Sequence, residues 1–168
     1  MKIGLLSDTH GYLDQTIFSY FESCDEIWHA GDIGSLSVAD ELEKFKPFKA
    51  ITGNIDDHNM RLRYPEDLHF TCEGKKVFMT HIAGSPSRYN ARVKKILLEN
   101  RPDILICGHS HILRVINDKS LHVLYLNPGA AGNHGFHLIK TMLRFEIKDG
   151  IISNMEVIEL GKRGVLEK

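Results

Sequence analysis

The sequence predicts an α/β protein with two facing sheets and helices on their outer sides. Three observations predict it. The 168 residues give about one domain of ordinary size, with 42% hydrophobic and 26% charged residues. The first third alternates apolar strands with amphipathic helices, and the last third is a succession of short strands. We therefore expect residues 1–168 to form one domain.

The first third carries a strand–helix rhythm. Lys2–Ser7 is a short apolar run that predicts a buried strand. Leu13, Ile17 and Phe21 recur at four-residue spacing and predict a helix over 13–21. A strand, a helix and a third strand are then predicted at Glu26–His29, Val38–Phe45 and Phe48–Thr52. Alternation of this kind favours a parallel sheet with helices packed on it.

The pattern changes after residue 65. Glu73-Gly74 predicts a hairpin turn, and the apolar spacing predicts a helix over Arg88–Asn100. Strands are predicted at Leu68–Cys72, Lys76–Thr80, Asp103–Cys107, Leu113–Ile116, His122–Leu126, Leu138–Ile147 and Ile151–Ile158. We expect this half to be largely antiparallel, and to bury one face of its sheet against the first sheet.

Charge and cysteine content exclude several classes of protein. A net charge of -1 argues against a dedicated nucleic-acid binder, so no stable nucleic-acid complex is expected. The three cysteines form no C-x-x-C pair and predict buried, reduced thiols rather than a disulfide framework. No apolar run is long enough for a membrane span, and Asp8 and His10 interrupt any signal-peptide core. We expect a cytoplasmic protein with no membrane partner.

Polar residues follow five of the predicted strands. They are Asp8 and His10 after the first strand, Asp32 after the second, Asn54 after the third, His81 after the hairpin, and His109 and His111 after the strand at 103–107. The carboxyl ends of parallel strands line the binding crevice of α/β sheets, so these side chains are expected to converge. Each short motif is weak alone, and their ordered occurrence after separate strands is what gives them weight.

The chemistry of this set predicts a metal site. Carboxylates, imidazoles and one amide oxygen, without a thiolate, suit Mn²⁺, Fe, Zn²⁺ or Ni²⁺. Seven ligands exceed the needs of one tetrahedral ion and suit two ions that share a carboxylate. Gly31, Gly53 and Gly108 each precede a ligand and are expected to allow sharp turns of the backbone.

Together, these motifs resemble the D-x-H, G-D, G-N, H and G-H-x-H signature of calcineurin-like metallophosphoesterases. The short chain and Asn127-Pro128-Gly129 resemble the small YfcE-like phosphodiesterase branch of that family. The resemblance implies a four-layer αββα sandwich of two mixed sheets with flanking helices. It also implies metal-dependent hydrolysis of a small phosphodiester substrate, in a protein that forms homodimers or homotetramers.

The resemblance assigns a role to each position. Asp8, His10 and His111 would hold the first divalent ion, Asn54, His81 and His109 the second, and Asp32 would bridge the two. Manganese is the first expectation, with zinc, iron or nickel as alternatives. A hydroxide bridging the ions would attack the phosphorus. The expected catalytic residues are Asp32, Asn54 and His109, the last two also contacting the phosphoryl group.

Two positions depart from the family pattern. Many relatives have a leaving-group histidine where this chain has Ile55, so Asp56, Asp57 or His58 would substitute, or the acid is missing. The T-H-G-H common in the small branch is here Thr80-His81-Ile82-Ala83, which loses one polar group. Residues 84–88 are the expected local lining of the pocket, with Arg88 as a candidate substrate-binding residue.

Several alternatives stay open at this point. The retromer subunit Vps29 resembles this fold and acts mainly as an interaction scaffold, and a phosphomonoesterase or nucleotidase would use the same ligands. His29 is expected to pack behind the site, while His134 and His137 are surface groups or approach the pocket. The basic residues of segment 88–95 form a solvated helix face or attract an anion.

Overall fold

The computed structural model describes residues 1–164 and contains two five-stranded sheets of mixed direction. The strands of the first sheet are β1 (Lys2–Leu6), β2 (Glu26–His29), β3 (Phe48–Ala50), β11 (Ile139–Lys148) and β12 (Ile151–Lys162). The strands of the second are β4 (Asp67–Cys72), β5 (Lys75–Thr80), β8 (Ile104–Ile106), β9 (Arg114–Asp118) and β10 (Val123–Asn127). A small hairpin pairs β6 (Gly84–Ser85) with β7 (Arg88–Tyr89). The helices are α1 (Thr16–Phe21), α2 (Leu36–Phe45), α3 (His58–Arg63) and α4 (Ala91–Asn100).

The first sheet has the order β12-β11-β1-β2-β3. Its three N-terminal strands are parallel, as the strand–helix rhythm predicts. The C-terminal hairpin joins this sheet, with β11 antiparallel to β1. The chain therefore returns to complete the sheet that it began.

The second sheet has the order β4-β5-β8-β10-β9 and is only partly antiparallel. β4 pairs antiparallel with β5, and β9 with β10, as expected from hairpins. The sequence predicts a largely antiparallel second half, and most of its strand pairs are antiparallel, including β6–β7 and β11–β12. The pairs β5–β8 and β8–β10 are the parallel exceptions. The reason is that α4 and the segment from β9 act as crossovers, and a crossover returns the chain in the same direction.

Three apolar clusters separate four layers. Ile3 and Leu5 of β1 lie in the cluster between the sheets, while Leu6 faces the cluster beneath α1 and α2. In the second sheet, Met79 points to the space between the sheets and Phe78 to the cluster beneath α4. This alternation is the period-two pattern of a strand buried on both faces. The αββα sandwich is thereby confirmed.

Two helices begin three residues later than predicted, and local hydrogen bonds explain why. α1 begins at Thr16 rather than 13, because Asp14 accepts the Thr16 N–H at 3.1 Å and holds the preceding turn. α4 begins at Ala91 rather than 88, because Asn90 caps it by accepting from Val93 N at 2.8 Å. α3 was not predicted from the sequence. None of the helices in residues 1–164 combines the length and apolarity that crossing a bilayer requires.

Candidate metal centre

The predicted ligands follow the ends of strands from both sheets. Asp8 and His10 follow β1, Asp32 follows β2, Asn54 follows β3, His81 follows β5, and His109 and His111 follow β8. The turns that carry them are hydrogen-bonded to one another: Asp8 N donates to Gly31 O at 3.0 Å, and His10 N to Asp32 O at 3.0 Å. The two halves of the set meet where Gly108 N donates to His81 O at 3.1 Å.

A first group of possible ligands consists of Asp8, His10 and His111. His111 Nε2 lies 3.2 Å from Asp8 Oδ1, and His10 Nε2 lies 3.9 Å from the same oxygen. Asp8 is fully buried, while both histidines are partly exposed. These are the three residues expected at the first ion.

A second group consists of Asp8, Asp32 and His81, all buried. His81 Nε2 lies 3.2 Å from Asp32 Oδ2 and 3.8 Å from Asp8 Oδ1. Asp32 Oδ2 is also 3.6 Å from His10 Nε2 in the first group. The carboxylate of Asp32 thus lies between the two groups, and Asp8 belongs to both.

Asn54 and His109 lie beside each other at the exposed mouth of the site. Asn54 Oδ1 is 2.9 Å from His109 Nδ1. The backbone N–H of His109 donates to the two carboxylate oxygens of Asp8 at 3.3 and 3.2 Å. An imidazole and an amide thus lie paired with each other at the solvent-exposed side of the site.

The tautomer of His81 and two buried histidine nitrogen atoms favour a bound cation. His81 Nδ1 is 2.7 Å from the carbonyl oxygen of Ala30, which only accepts, so Nδ1 carries the proton and Nε2 keeps a lone pair. His81 Nε2 and His10 Nε2 are buried and make no hydrogen bond of good geometry among the described residues, although an oxygen of the Asp32 carboxylate lies 3.2 and 3.6 Å from them. Buried nitrogen atoms of this kind are normally satisfied. A divalent ion would satisfy both, so the residues present fit a metal centre.

The backbone is strained at most of the predicted ligands. Five of the seven adopt left-handed conformations: Asp8 (φ 55), His10 (φ 49), Asp32 (φ 55), His109 (φ 67) and His111 (φ 57). Such conformations cost about 1 kcal/mol or more each for residues with a side chain, and they concentrate at functional sites. Each of these turns aims its side chain into the space where the strand ends meet.

Two glycines allow the loops to approach closely. A Cβ at Gly53 would lie 2.0 Å from Asp32 Oδ1, and one at Gly108 would lie 2.1 Å from Ser7 Oγ and 2.7 Å from Asp8 Oδ2. Neither Gly53 nor Gly108 has a positive φ. The sharp backbone turn that the sequence predicts is therefore not the reason that these two positions are glycine. They are required because a side chain would occupy the space of the carboxylates.

Buried polar residues behind the site hold its loops. The Asp56 carboxylate accepts N–H groups from Gly53 at 2.8 Å, Gly34 at 2.8 Å and Ile33 at 3.3 Å. Asp57 accepts from Met60 N at 2.9 Å and caps α3. Asp56 is buried and both of its carboxylate oxygens accept backbone N–H groups, so it is not free to replace the acid that Ile55 lacks, whereas Asp57 is exposed and uses one oxygen for its cap bond. Sequence reasoning missed this role, although an Asp directly before a short helix is a recognisable capping signal.

His29, which is expected from the sequence to pack behind the site, contacts the loop that follows β1. Its ring is fully buried, Nδ1 accepts from Gly31 N at 3.2 Å, and Nε2 lies 3.0 Å from Thr9 Oγ1. The Thr9 hydroxyl donates onward to Ile33 O at 2.9 Å. Burial lowers the pKa of His29 to about 4 against the opposing effect of Asp56 and Asp8, so the ring is neutral at pH 7.

The electrostatics of the site also favour positive charge. Burial acts to lower the pKa of His81, but the Asp32 and Asp8 carboxylates outweigh it and raise the pKa. Burial likewise acts to raise the pKa of Asp32, but His81 and the Ile55 N–H outweigh it and lower the pKa. For His10, burial exceeds the effect of the same carboxylates and lowers the pKa. The Asp32 carboxylate therefore stays ionised, which binding of a divalent cation requires.

The remaining histidines divide into two sets. His58, His69 and His122 are exposed and belong to neither ligand group. The other two approach the ligands: the His134 ring centroid is 4.8 Å from that of His10, and the His137 centroid is 5.3 Å from that of His111. The loop that carries them thus covers the first group.

Two clefts flank the mouth of the site. A space of ≈ 240 Å³ is bounded by Asn54, His81, Arg61 and Arg92. A second, of ≈ 290 Å³, is bounded by His109 and by Arg88, the predicted substrate-binding residue. The basic residues of segment 88–95 do not share one helix face, because Arg88 lies in β7 rather than in α4.

Comparisons with known proteins agree with this geometry. A probable metallophosphoesterase of Methanothermobacter thermautotrophicus is 32% identical over 137 residues, covering 77% of each chain. A phosphodiesterase of Methanocaldococcus jannaschii is 28% identical over 148 residues, covering 77% of this chain and 83% of its own. Among solved structures, a single mutant of Vps29 from Entamoeba histolytica shares the fold with a TM-score of 0.72 at 17% identity, covering 96% of this chain and 100% of its own.

The family model agrees with these relatives. The model of the calcineurin-like phosphoesterase superfamily domain matches residues 1–150, which include every predicted ligand. Proteins of this family are metal-dependent phosphoesterases, and the ligand types found here suit that chemistry. The chain therefore belongs to the calcineurin-like phosphoesterase superfamily.

Proposed function

We propose that this protein is a phosphodiesterase that works with two divalent metal ions. The observation that carries the proposal is the pair of overlapping donor groups formed by Asp8, His10, Asp32, His81 and His111, in which two buried imidazole nitrogens make no well-formed hydrogen bond within the described chain. Asp8, His10 and His111 would hold one ion, Asn54, His81 and His109 the other, and Asp32 would contact both. Ions bound there would lower the pKa of water and neutralise charge on the phosphoryl oxygens. Manganese is our first candidate, before zinc, iron and nickel.

The protein's own residues would orient the substrate at the mouth. Asn54 and His109 are the exposed members of the set, so they would reach the phosphoryl group. Asp32 is fixed by the Ile55 N–H, which donates to its Oδ1 at 3.0 Å. Preorganised groups of this kind stabilise developing charge without rearranging during the reaction. We infer a small diester as substrate, consistent with the phosphodiesterase named among the relatives.

The absence of an acid at position 55 has a measurable consequence. Ile55 is exposed at the mouth, and the neighbouring Asp56 and Asp57 carboxylates bind backbone amides. We infer that no neighbouring side chain replaces the missing histidine, in which case the rate should depend steeply on the leaving group's own acidity. We expect p-nitrophenyl esters to react far faster than alkyl esters, and I55H to narrow that difference. An equally steep dependence in I55H would contradict this explanation.

The proposal is tested with metal-free protein loaded with each candidate ion. We expect about two ions per chain by elemental analysis, and faster hydrolysis of bis(p-nitrophenyl) phosphate than of p-nitrophenyl phosphate. D32N should lower both the metal content and the rate, the latter by at least about a hundredfold. D149N is the matched control, because Asp149 is an exposed turn residue with the same left-handed backbone (φ 50).

Other outcomes of this test would contradict the proposal. Higher rates on the monoester would favour a phosphomonoesterase or nucleotidase. Inactivity with every ion on both ester classes would favour an interaction scaffold, the alternative that the fold shared with Vps29 leaves open. Full activity in D32N would refute the assignment of Asp32.

A further inference from the structure

A cleft bounded by two arginines opens from the mouth of the candidate metal centre. This arginine cleft has a volume of ≈ 290 Å³, and its lining includes Arg88, Arg114, His109, Ser110, Ile82 and Ile112. His109 is one of the two exposed members of the predicted ligand set. A substrate held at His109 would therefore extend one of its substituents into the arginine cleft.

The arginine cleft carries uncompensated positive charge. Its lining, among the described residues, contains no Asp or Glu side chain. Within residues 1–164, neither the Arg88 nor the Arg114 guanidinium forms an ion pair, and neither donates a hydrogen bond to another protein group. Guanidinium groups that face one cleft and have no protein partner are suited to bind an anion from outside.

The cleft on the other side of the mouth offers a contrast. Its two arginines are already used by the protein: Arg61 donates to Gly53 O at 2.7 Å, and Arg92 pairs with Asp67. That cleft also contains the carboxylate of Glu66. The two sides of the site therefore differ in charge, and of the two clefts the arginine cleft is the one suited to an anionic substituent.

The elements that carry the two arginines are held in place. The hairpin of β6 and β7 is anchored by Tyr125, whose hydroxyl donates to Gly84 O at 2.9 Å. Arg114 begins β9, where it pairs with Asn127 of β10. The Ser110 hydroxyl between them accepts from Ile112 N at 3.3 Å and from the Asn127 amide at 3.1 Å. Ser110 Oγ thus keeps its own hydrogen to donate into the cleft.

We propose that Arg88 and Arg114 form an anion subsite that selects phosphodiesters carrying a second phosphate on one substituent. This rests on the proposed phosphodiesterase activity, in which the reacting diester lies at the metal ligands. The diester itself carries one negative charge, and two free guanidinium groups in the same cleft can also accommodate a second anion. Arg binds phosphate through two parallel N–H···O bonds, which gives both affinity and direction. The substrate class is therefore an open-chain diester with a terminal phosphate, and small cyclic diesters lack the group that the subsite binds.

A matched pair of chromogenic substrates tests this selection. Thymidine 5′-(p-nitrophenyl phosphate) has one anionic group, and the same compound with a 3′-phosphate has two. We expect the wild-type protein to show about tenfold higher kcat/KM for the second compound. R88Q and R114Q should each reduce that preference about threefold, and the double variant should abolish it. The preference is the ratio of kcat/KM for the two compounds within each variant, so a change in basal rate that affects both compounds equally cancels.

Two controls separate the subsite from general electrostatic attraction. K94Q removes an exposed charge from α4 outside the arginine cleft and should keep the full preference. Rising salt should weaken the preference of the wild type more than that of the double variant, because exposed charges are screened. Equal preference in wild type and double variant would overturn the proposal.

A binding measurement makes the test independent of turnover. Calorimetric titration with thymidine 3′,5′-bisphosphate should show about tenfold tighter binding than with thymidine 5′-monophosphate, and R88Q/R114Q should remove the difference. If the protein hydrolyses no diester but keeps this arginine-dependent binding, the proposed function fails and the subsite stands. If the two nucleotides bind equally to the wild type, the subsite fails whatever the activity.

Discussion

Gly53 gives the sharpest prediction about how the loops position the site. A Cβ at this position would lie 2.0 Å from Asp32 Oδ1 and 2.4 Å from the Asp32 backbone nitrogen. Ordinary van der Waals contact begins at 3.4 Å, so in G53A the carboxylate has to retreat by roughly 1.4 Å. The backbone nitrogen cannot move as a flexible side chain would, since it belongs to a strained turn (φ 55). The Asp32 carboxylate would therefore leave its position between the two ligand groups.

The size of the effect follows from that displacement. A misplacement of about 1 Å at a reacting centre costs about a hundredfold in rate. Overpacking also costs about 1–3 kcal/mol of folding free energy. We therefore expect G53A to fold with reduced stability, to bind fewer metal ions than wild type, and to hydrolyse bis(p-nitrophenyl) phosphate about a hundredfold more slowly.

Three measurements check this prediction. Elemental analysis gives the metal content, the chromogenic diester gives the rate, and the fluorescence of Trp28, the single tryptophan and fully buried, reports unfolding. G74A is the control, because Gly74 has a positive φ (81) but the nearest atom to its added Cβ is 3.9 Å away. It should lose about 1 kcal/mol from backbone strain and keep its activity. A G53A protein with full metal content and a rate within twofold of wild type would refute the reasoning.

The remaining predictions concern buried polar groups and are all measured by urea unfolding. K140M leaves Asp14 without its buried partner at 2.7 Å and should cost about 3–5 kcal/mol at pH 7. Burial acts to raise the pKa of Asp14, but the bonds from Lys140 and Thr16 together outweigh it and lower the pKa, so the cost should shrink toward pH 3; a constant cost would contradict this. His29 has a pKa of about 4 because of burial, so below pH 6.5 the unfolded chain binds the proton first and wild-type stability should fall by about 1.4 kcal/mol per pH unit down to pH 4. H29Q should therefore show a shallower fall in stability between pH 6.5 and pH 4 than the wild type. An equally steep fall in both proteins would contradict the assignment to His29. D56A leaves three loop N–H groups without an acceptor and should cost at least about 3 kcal/mol, against about 1 kcal/mol for the helix cap lost in D57A; equal costs would contradict the assigned role.

The ligand set could be predicted from the sequence because its chemistry is local. A D-x-H or H-x-H segment directly after an apolar run identifies the donor atoms, and its position also indicates where the preceding strand ends. The two mixed sheets were predictable for a similar reason, since alternating apolar runs and amphipathic helices are local patterns. That residues 1–168 form one domain stays a prediction, and residues 165–168 lie outside the described part of the chain.

Strand direction in the second sheet could not be predicted in the same way. The parallel pairing of β5, β8 and β10 joins segments separated by a helix and by a long connection. No short turn between them sets the direction, so it depends on how the crossovers pack. The short helix α3 was missed because six residues hold too little periodicity, and its cap, Asp57, was considered only as an acid.

The sequence by itself determined which donor atoms the protein possesses and that they follow separate strand ends. Only the tertiary structure decided that Asp8 belongs to both ligand groups, that Asp56 is bound to backbone amides, and that Arg88 and Arg114 have no protein partner in the described chain. The physical reason is distance along the chain. Asp8 and His109 are 101 residues apart in the sequence. The hydrogen bond from the His109 N–H to the Asp8 carboxylate forms only because β1 of one sheet and β8 of the other end at the same side of the protein. Residue types fix the chemistry that is available, whereas pairing between distant strands fixes which groups meet and which remain free.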